Sequence, residues 1–186
     1  INLMKKEQER ALKLQLAESQ KVASLSKTFS KYVPHEFLTL LKKKSILDVQ
    51  LGDQVQRAMS VLFSDIRSFT TLSESMTPEQ TFTFVNSYLS VMGPIIREHH
   101  GFIDKYIGDA IMALFEDADD AVRASIAMLK RLQIYNQERL KAQQQPVQIG
   151  IGINTGLLML GTIGPFFKKC SHRRHSREVQ RWVQVE

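Results

Sequence analysis

Several features that the sequence lacks exclude whole classes of protein. It contains a single cysteine, so no internal disulfide can form and a disulfide-stapled secreted domain is excluded. No apolar run approaches the roughly 18 residues that a membrane-spanning helix needs, and the first residues show no signal-peptide pattern. Internal repeats and low-complexity stretches are also missing. We therefore expect one globular domain with an appendage in a reducing, cytoplasmic compartment, whether or not a longer protein is attached to a membrane.

Acidic residues are fewer than basic ones, and most of the excess positive charge lies at the end of the chain. The net charge is +6, and residues 165–186 contribute +4 of it through six Lys and Arg residues against two Glu residues. The body of the chain is nearly neutral, so the charge does not indicate a nucleic-acid face, and we do not expect nucleic acid as a partner. A disordered basic tail is the alternative interpretation. Cys170, His172 and His175 offer only three ligands, at a spacing that fits no standard zinc site.

The N-terminal part of the chain predicts helices. Residues 1–30 contain no glycine or proline and are typical of one helix, either a solvated linker or a short parallel coiled coil. Residues 31–56 form a lead-in, with a break at Pro34 and a short second helix over His35–Lys44. The proposed coiled-coil seam consists of Ile1, Met4, Gln8, Ala11, Gln15, Glu18, Val22, Leu25 and Phe29.

From Arg57 onward the hydrophobic pattern alternates between strands and helices. The predicted elements are a strand at Val61–Phe63 that ends in Ser64 and Asp65, a helix from Pro78, strands at Phe102–Ile107 and Ala110–Phe115, a helix after Asp117 and a strand from Val147. Only Gly108 and Asp109 separate the two middle strands, which predicts a tight hairpin. The order βαββαβ over residues 57–164 predicts an α+β domain with a ferredoxin-like sandwich, preceded by the helical linker.

The helix termini and faces can be predicted as well. Thr77, Pro78 and Gln80 form a capping-box pattern at the start of the first helix of this domain. A turn at Asn154–Gly156 is expected to lead into a last segment, Leu157–Ile163. The predicted buried faces consist of Phe82, Val85, Leu89, Met92 and Ile96 in the first helix and of Val122, Ile126, Leu129 and Leu132 in the second.

Two carboxylates are expected to meet at one edge of this sheet. Asp65 ends the first strand and Asp109 lies in the hairpin turn, and the predicted topology makes these two places neighbours. Two close carboxylates repel each other unless they are protonated or bridged, so the pair predicts a Mg²⁺ or Mn²⁺ site. The backbone N–H groups of the following turn, which includes Phe69 and Thr70, can bind phosphate. Lys105 lies four residues before Asp109, within reach of a nucleotide base.

Three ordered motifs make the sequence similar to a known family. Residues 61–74 (VLFSDIRSFTTLSE), 104–113 (DKYIGDAIMA) and 149–156 (IGIGINTG) resemble the class III nucleotidyl cyclase catalytic domain. The resemblance covers about residues 57–164. Residues 31–56 resemble the lead-in of bacterial multidomain adenylate cyclases, and residues 1–30 resemble the helix that carries a signal from an upstream sensor domain.

The resemblance implies a function and a set of site residues. Asp65, Asp109 and the carbonyl of Ile66 would hold two Mg²⁺ or Mn²⁺ ions, which activate the ribose 3′-hydroxyl for attack on the α-phosphorus. Lys105 matches the position that recognises adenine, which favours ATP as the substrate and cyclic AMP as the product. The active site would form at a head-to-tail homodimer interface or with a complementing cyclase subunit.

The resemblance ends after Gly164. The second base-reading residue and the Asn-x-x-x-Arg helix of the family are not found in residues 165–186, and the composition changes at the same place. This coincidence indicates a frameshift or an artificial chain end, and a natural divergent tail is the alternative. The loss of the Arg is expected to reduce the rate by about 10²–10³. A catalytically inactive dimerisation or regulatory module with the same fold is therefore the alternative function.

Overall fold

The computed structural model describes residues 2–29, 33–163 and 167–172. The helices are α1 (Asn2–Phe29), α2 (His35–Leu40), α3 (Phe69–Glu74), α4 (Pro78–Glu98) and α5 (Ala118–Lys141). The strands are β1 (Gln54–Ile66), β2 (Phe102–Ile107), β3 (Ala110–Phe115), β4 (Ile149–Ile163) and β5 (Phe167–His172). The chain has an α+β fold, as its sequence predicts. None of the helices within these described ranges is long and apolar enough to cross a membrane.

The chain contains two compact units. The first contains the N-terminal residues up to Val55 together with the end of β4, and the second contains residues 56–160. In the first unit, α1 is a single helix as predicted, and a short 3₁₀ helix at Ile46–Asp48 contacts it. An ion pair of 2.8 Å between Lys43 Nζ and Asp53 Oδ2 connects two parts of this unit. The coiled-coil seam of α1 stays a prediction.

The strand order β2-β3-β1-β4-β5 places the third predicted strand beside the first, as the split βαβ topology requires. The strands β1 and β3 are antiparallel, with Ser64 opposite Ile111 and Leu62 opposite Ala113. Strand β4 is continuous through residues 154–156, so the predicted turn there is wrong. The physical reason is a tertiary one, because Thr155 Oγ1 lies 2.7 Å from Ser60 Oγ on β1 and the pairing keeps the backbone extended.

The α4 and α5 helices pack on one face of the sheet and form the main core of the second unit. The capping box at Thr77 and Gln80 is confirmed, with hydrogen bonds of 2.9 and 3.2 Å. The predicted buried faces are partly wrong, because Phe82 is 73% exposed and Val122 and Ile126 are exposed too. The residues that the helices bury instead include Phe84, Tyr88 and Ile95 in α4 and Ala121, Ala124, Met128 and Tyr135 in α5.

In α4 the predicted apolar positions, which begin at Phe82, and the observed buried positions, which begin at Phe84, both have helical spacing. The pattern alone therefore did not decide which of these two sets faces the sheet. Met92 and Ile96 belong to the predicted face and are buried as expected. The difference lies at the first half of the helix, where Phe84 and Tyr88 occupy the core and Phe82 points outward. Val85 and Leu89, the other predicted positions, are partly buried and pack against the same core, so only Phe82 of the predicted face is left outside it.

Two glycines permit the hairpin of β2 and β3. Gly108 in the turn has a φ of +62°, a left-handed conformation in which other residues are strained. Gly101 immediately precedes β2, and a Cβ atom there would lie 2.3 Å from Cε1 of Phe115. The ring of Phe115 can therefore cover the start of β2 only because residue 101 has no side chain.

The described part of the C-terminal segment contains a strand. Residues 167–172 form β5, next to β4 in the sheet, within the segment 165–186 that the sequence marks as a basic tail. The side chains of Cys170, His172 and His175, the three candidate zinc ligands, lie outside the described residues.

Candidate functional site

The structure brings Asp65 and Asp109 together at the end of β1. Asp65 is the penultimate residue of that strand, and Asp109 lies in the turn between β2 and β3. The pairing of β1 with β3 carries this turn to the strand end, since Ser64 lies opposite Ile111. The backbone N–H of Ile66 donates a 3.1 Å hydrogen bond to Oδ2 of Asp109. This bond fixes the carboxylate of the turn against the strand that carries the other carboxylate.

The electrostatics of this pair favour a cation. Burial raises the pKa of Asp109 to about 6, and a hydrogen bond with the Asp65 carboxyl and the negative charge of that residue act in the same direction. A divalent ion removes this repulsion, and carboxylate oxygens are the ligands that Mg²⁺ and Mn²⁺ prefer. The donor set therefore fits such an ion. Within the described ranges no group of three His, Cys, Asp or Glu residues is placed to hold a metal.

Lys105 lies on β2 opposite Met112 of β3, and Met112 in turn lies opposite Phe63 of β1. Because side chains alternate along a strand, Phe63 and Asp65 lie on the same face of β1. Lys105 and the carboxylate-bearing end of β1 therefore lie on the same face of the sheet, the one that α4 and α5 do not cover. The ammonium group of Lys105 forms an ion pair of 3.1 Å with Oδ2 of Asp104.

The two predicted phosphate-binding residues occupy different environments at the start of α3. Phe69 is partly buried against the core, and its ring stacks on Phe84 with 6.4 Å between the ring centroids. Thr70 is exposed. Ser68, which precedes both, has a left-handed backbone with a φ of +55°. Their role in phosphate binding stays a prediction that concerns the backbone of this turn.

Two further residues, Tyr88 and Ser64, lie next to the carboxylates and were not predicted from the sequence to belong to the site. The Tyr88 hydroxyl lies 3.2 Å from Ser64 Oγ. Burial, together with the smaller effect of the charges of Asp109 and Asp65, raises the pKa of Tyr88 to about 12, which places this hydroxyl within the electrostatic reach of both carboxylates. The helical spacing of Tyr88 with Phe84 and Met92 was the available signal for a buried position. The hydroxyl remains protonated at neutral pH and supports the strand end from the core side.

Arg67 was also missed, and it lies beside the same strand end. Its backbone N–H donates to the Gln148 carbonyl at 2.8 Å, which extends the pairing of β1 and β4 past Asp65. Its side chain lies over Gly150, where a Cβ atom would come within 3.2 Å of Nε. A side chain at residue 150 would therefore require the guanidinium group to shift by a few tenths of an ångström. Arg67 and Gly150 are far apart in the sequence, so no local pattern predicts this contact.

A separate cavity of about 780 Å³ lies between α3, α4 and α5. Its lining includes Leu72, Phe84, Tyr135 and the buried Arg139, and it includes none of the predicted site residues. The guanidinium of Arg139 lies 4.6 Å from the Phe84 ring centroid, and its Nε donates to the Gln145 carbonyl at 2.7 Å. This cavity is therefore a feature of the helical layer and is distinct from the carboxylate pair.

Comparison with known proteins identifies the relatives of this chain. The family model described as the adenylate and guanylate cyclase catalytic domain matches residues 51–174. An adenylate cyclase of Anabaena cylindrica is 43% identical over 143 residues, which cover 74% of this chain and 28% of that protein. The chain thus spans less than a third of that relative.

Two solved structures of similar identity carry different names. The adenylyl cyclase CyaB from P. aeruginosa is 34% identical with a TM-score of 0.59, over 64% of this chain and 68% of that chain. The guanylyl cyclase Cya2 is 35% identical with a TM-score of 0.56, over 63% of this chain and 64% of that chain. Likeness in fold therefore does not separate an adenine from a guanine substrate, and the side chains of the site have to do so.

Proposed function

The chain belongs to the adenylate and guanylate cyclase catalytic domain family, and from that premise we propose that it converts ATP into cyclic AMP and pyrophosphate in signal transduction. In this reaction the ribose 3′-oxygen attacks the α-phosphorus and pyrophosphate leaves. The observation that carries the proposal is the pair of carboxylates, Asp65 and Asp109, at the end of β1. An upstream sensor domain and a cytoplasmic location belong to the same proposal.

The carboxylate pair suits divalent ions. Asp65, Asp109 and the carbonyl of Ile66 would hold two Mg²⁺ or Mn²⁺ ions, which when bound neutralise triphosphate charge and make the 3′-hydroxyl a better nucleophile. The protein's own contribution is to hold the ligands. The N–H of Ile66 keeps the Asp109 carboxylate against β1, and the pairing of β1 with β3 keeps both acids at one strand end. Preorganised ligands of this kind avoid a rearrangement during the reaction.

Lys105 is the residue that we propose for base selection. An ammonium group can donate to the ring nitrogens of adenine, and it cannot accept the N–H that guanine presents at the same edge. The Lys105 side chain is 39% exposed, so a base can reach it. We expect Lys105→Glu to weaken ATP binding and to favour GTP. Equal competition by the two nucleotides before and after the substitution would remove Lys105 from the site.

The partner is either a second copy of this chain in a head-to-tail dimer or a complementing cyclase subunit. The chain carries Asp65, Ile66, Lys105 and Asp109, but the Asn-x-x-x-Arg pattern of the family is not found after Gly164 in its sequence. A competent partner would supply the Arg that stabilises charge on the transferred phosphorus. We therefore expect little cyclic AMP from this chain alone and more from a mixture with a subunit that lacks its metal-binding aspartates.

The decisive experiment measures cyclic AMP formation and nucleotide binding with Mg²⁺ or Mn²⁺. Three samples are compared: this chain alone, the partner subunit without its metal-binding aspartates (the metal-dead subunit) alone, and the mixture of the two. Asp65→Ala and Asp109→Ala should each abolish metal-dependent binding of an ATP analogue and the activity of the mixture. Asp120→Ala, which removes an aspartate of α5 that pairs with Arg123, serves as the matched control and should change neither. Unchanged binding in both site variants would contradict the metal assignment.

The alternative function is a regulatory or dimerisation module without catalysis, which the missing Asn-x-x-x-Arg pattern favours. In that case the chain associates with the cyclase subunit, and no cyclic AMP forms in a heterodimer whose assembly has been verified. Full activity of this chain by itself would instead show that the missing pattern is not essential.

A further inference from the structure

Asp104 and Lys105 are adjacent residues of β2, and their side chains should not meet in a regular strand. Successive side chains of a strand point to opposite faces of the sheet. The Lys105 ammonium nevertheless lies 3.1 Å from the carboxylate of Asp104. The pairing with β3 explains this contact, because Ile103 lies opposite Ala113 and Lys105 lies opposite Met112. Asp104 is thus the extra residue of a β-bulge, a distortion that changes the direction of neighbouring side chains.

The bulge separates the environments of the residues around it. Ile103 and Tyr106 both face α4, because Ile103 Cδ1 and the Tyr106 hydroxyl each lie 3.5 Å from the place where a Cβ of Gly93 would be. Ile103 and Tyr106 are three positions apart, a separation that puts side chains on opposite faces of a regular strand. Lys105, between them, lies on the other face, in the row formed by Met112 and Phe63.

The two members of the ion pair differ strongly in exposure. The side chain of Asp104 is 1% exposed, whereas that of Lys105 is 39% exposed. Asp104 is therefore too buried to touch a nucleotide, but it holds an ammonium group that a nucleotide can reach. An ammonium has three N–H donors, so one can serve Asp104 while two remain for a base. A lysine held in this way also has less rotamer entropy to lose when it binds.

We propose that Asp104 is a positioning residue that determines base specificity by fixing Lys105. The inference rests on the proposed role of Lys105 in base selection and deepens it. Asp104 acts through Lys105 and not on the substrate itself. The bulge supplies the geometry and the buried carboxylate supplies the anchor, so that the ammonium presents its remaining donors in a constant direction.

The test replaces the carboxylate and measures selectivity. Dissociation constants of ATP and GTP are determined by displacement of a fluorescent ATP analogue in the presence of Mn²⁺, with the full chain and, for activity, in the mixture with the metal-dead subunit. Asp104→Asn keeps the size of the side chain. Water can replace the carboxylate at the ammonium group of the half-exposed Lys105, so the fold should persist. We expect the preference for ATP over GTP to fall by about tenfold.

A matched control and a double-mutant cycle separate positioning from a general structural effect. Asp120→Asn removes another aspartate that pairs with a cation, Arg123 at 3.3 Å on α5, and should leave the nucleotide preference unchanged. In a Lys105→Met background, Asp104→Asn should have no further effect on the preference, because the residue through which it acts is gone. An equal loss in both backgrounds, or an unchanged preference in Asp104→Asn, would overturn the inference.

A deletion of Asp104 provides a second variant in case the asparagine variant does not fold. Removing the extra residue would restore regular pairing and keep Lys105 opposite Met112 while it removes the carboxylate. This variant should lose the ATP preference to the same extent, and retention of the preference would overturn the inference. If the parent chain binds neither nucleotide, the proposed function fails and the inference fails with it. If the parent prefers ATP and the variants do so equally, only the role of Asp104 is refuted.

Discussion

The two faces of the sheet in the second unit differ at the carboxyl end of β1. On the face that α4 and α5 cover, Leu62, Ile111 and Phe115 are almost completely buried. On the opposite face, Phe63 is 38% exposed and Asp65 is exposed. Alternate residues of β1 therefore belong either to the buried core or to the exposed candidate site. The difference teaches that substitutions only one position apart can separate the stability of this fold from its chemistry.

The largest effect that we expect is the loss of a buried aromatic residue on the helix-covered face. Phe115→Ala should lower the free energy of unfolding by about 3–5 kcal/mol, because it removes a ring that is buried among α4, α5 and the start of β2. Urea unfolding measures this change. Phe63→Ala removes the same ring from the opposite face and should cost only about 1–2 kcal/mol, because that ring is 38% exposed. Equal losses in the two variants would contradict the distinction between the faces.

A smaller effect is expected from the buried cation of the helical layer. Arg139→Met should cost about 1–3 kcal/mol, since it removes the hydrogen bond of 2.7 Å to the Gln145 carbonyl and leaves that carbonyl without this donor. Thermal or urea unfolding measures the cost. Arg123→Met is the matched control, because that side chain is 66% exposed and its ion pair with Asp120 contributes little. A similar cost for both variants would show that Arg139 has no special structural role.

The smallest effect concerns the carboxylate pair on the opposite face. Here the substitution should raise the free energy of unfolding, whereas the two preceding ones lower it. The pKa of Asp109 is about 6 in the folded chain, above the ordinary value of 3.8, so the folded state binds its proton more tightly than the unfolded state does. The metal-free parent should therefore lose stability as the pH rises from about 4 to beyond 6. Asp109→Asn removes this loss and should stabilise the metal-free chain by about 1 kcal/mol at pH 8, after solvent screening is considered.

Unfolding in urea and EDTA at pH 4.5 and pH 8 tests this expectation. The parent and Asp109→Asn should have similar stability at the lower pH and differ at the higher one. Addition of Mg²⁺ or Mn²⁺ at pH 8 should stabilise the parent and leave the variant unchanged, because the ion binds deprotonated carboxylates. The same pH dependence in both proteins would show that folding does not raise the pKa of Asp109.

The candidate site could be predicted from the sequence to a definite extent. Asp65, Asp109 and Lys105 stood out because each occupies a strand or a turn that the pattern predicts, and the topology brings these elements together. Their contacts could not be predicted in the same way. The bond from Ile66 to Asp109 and the contact of Ser64 with Tyr88 join residues from different elements. Their formation depends on the packing of α4 and on the register of β1 against β3.

By itself the sequence determined the elements whose signals are local, namely the capping box at Thr77 and the hairpin that turns at Gly108. A cap needs only residues three positions apart, and a left-handed turn needs only a glycine. The tertiary structure alone decided that α4 buries Tyr88 and exposes Phe82, and that Asp104 bulges out of β2. In each case the local sequence permits two arrangements of similar energy. Only contacts with the neighbouring strand or sheet lower the energy of one arrangement below that of the other.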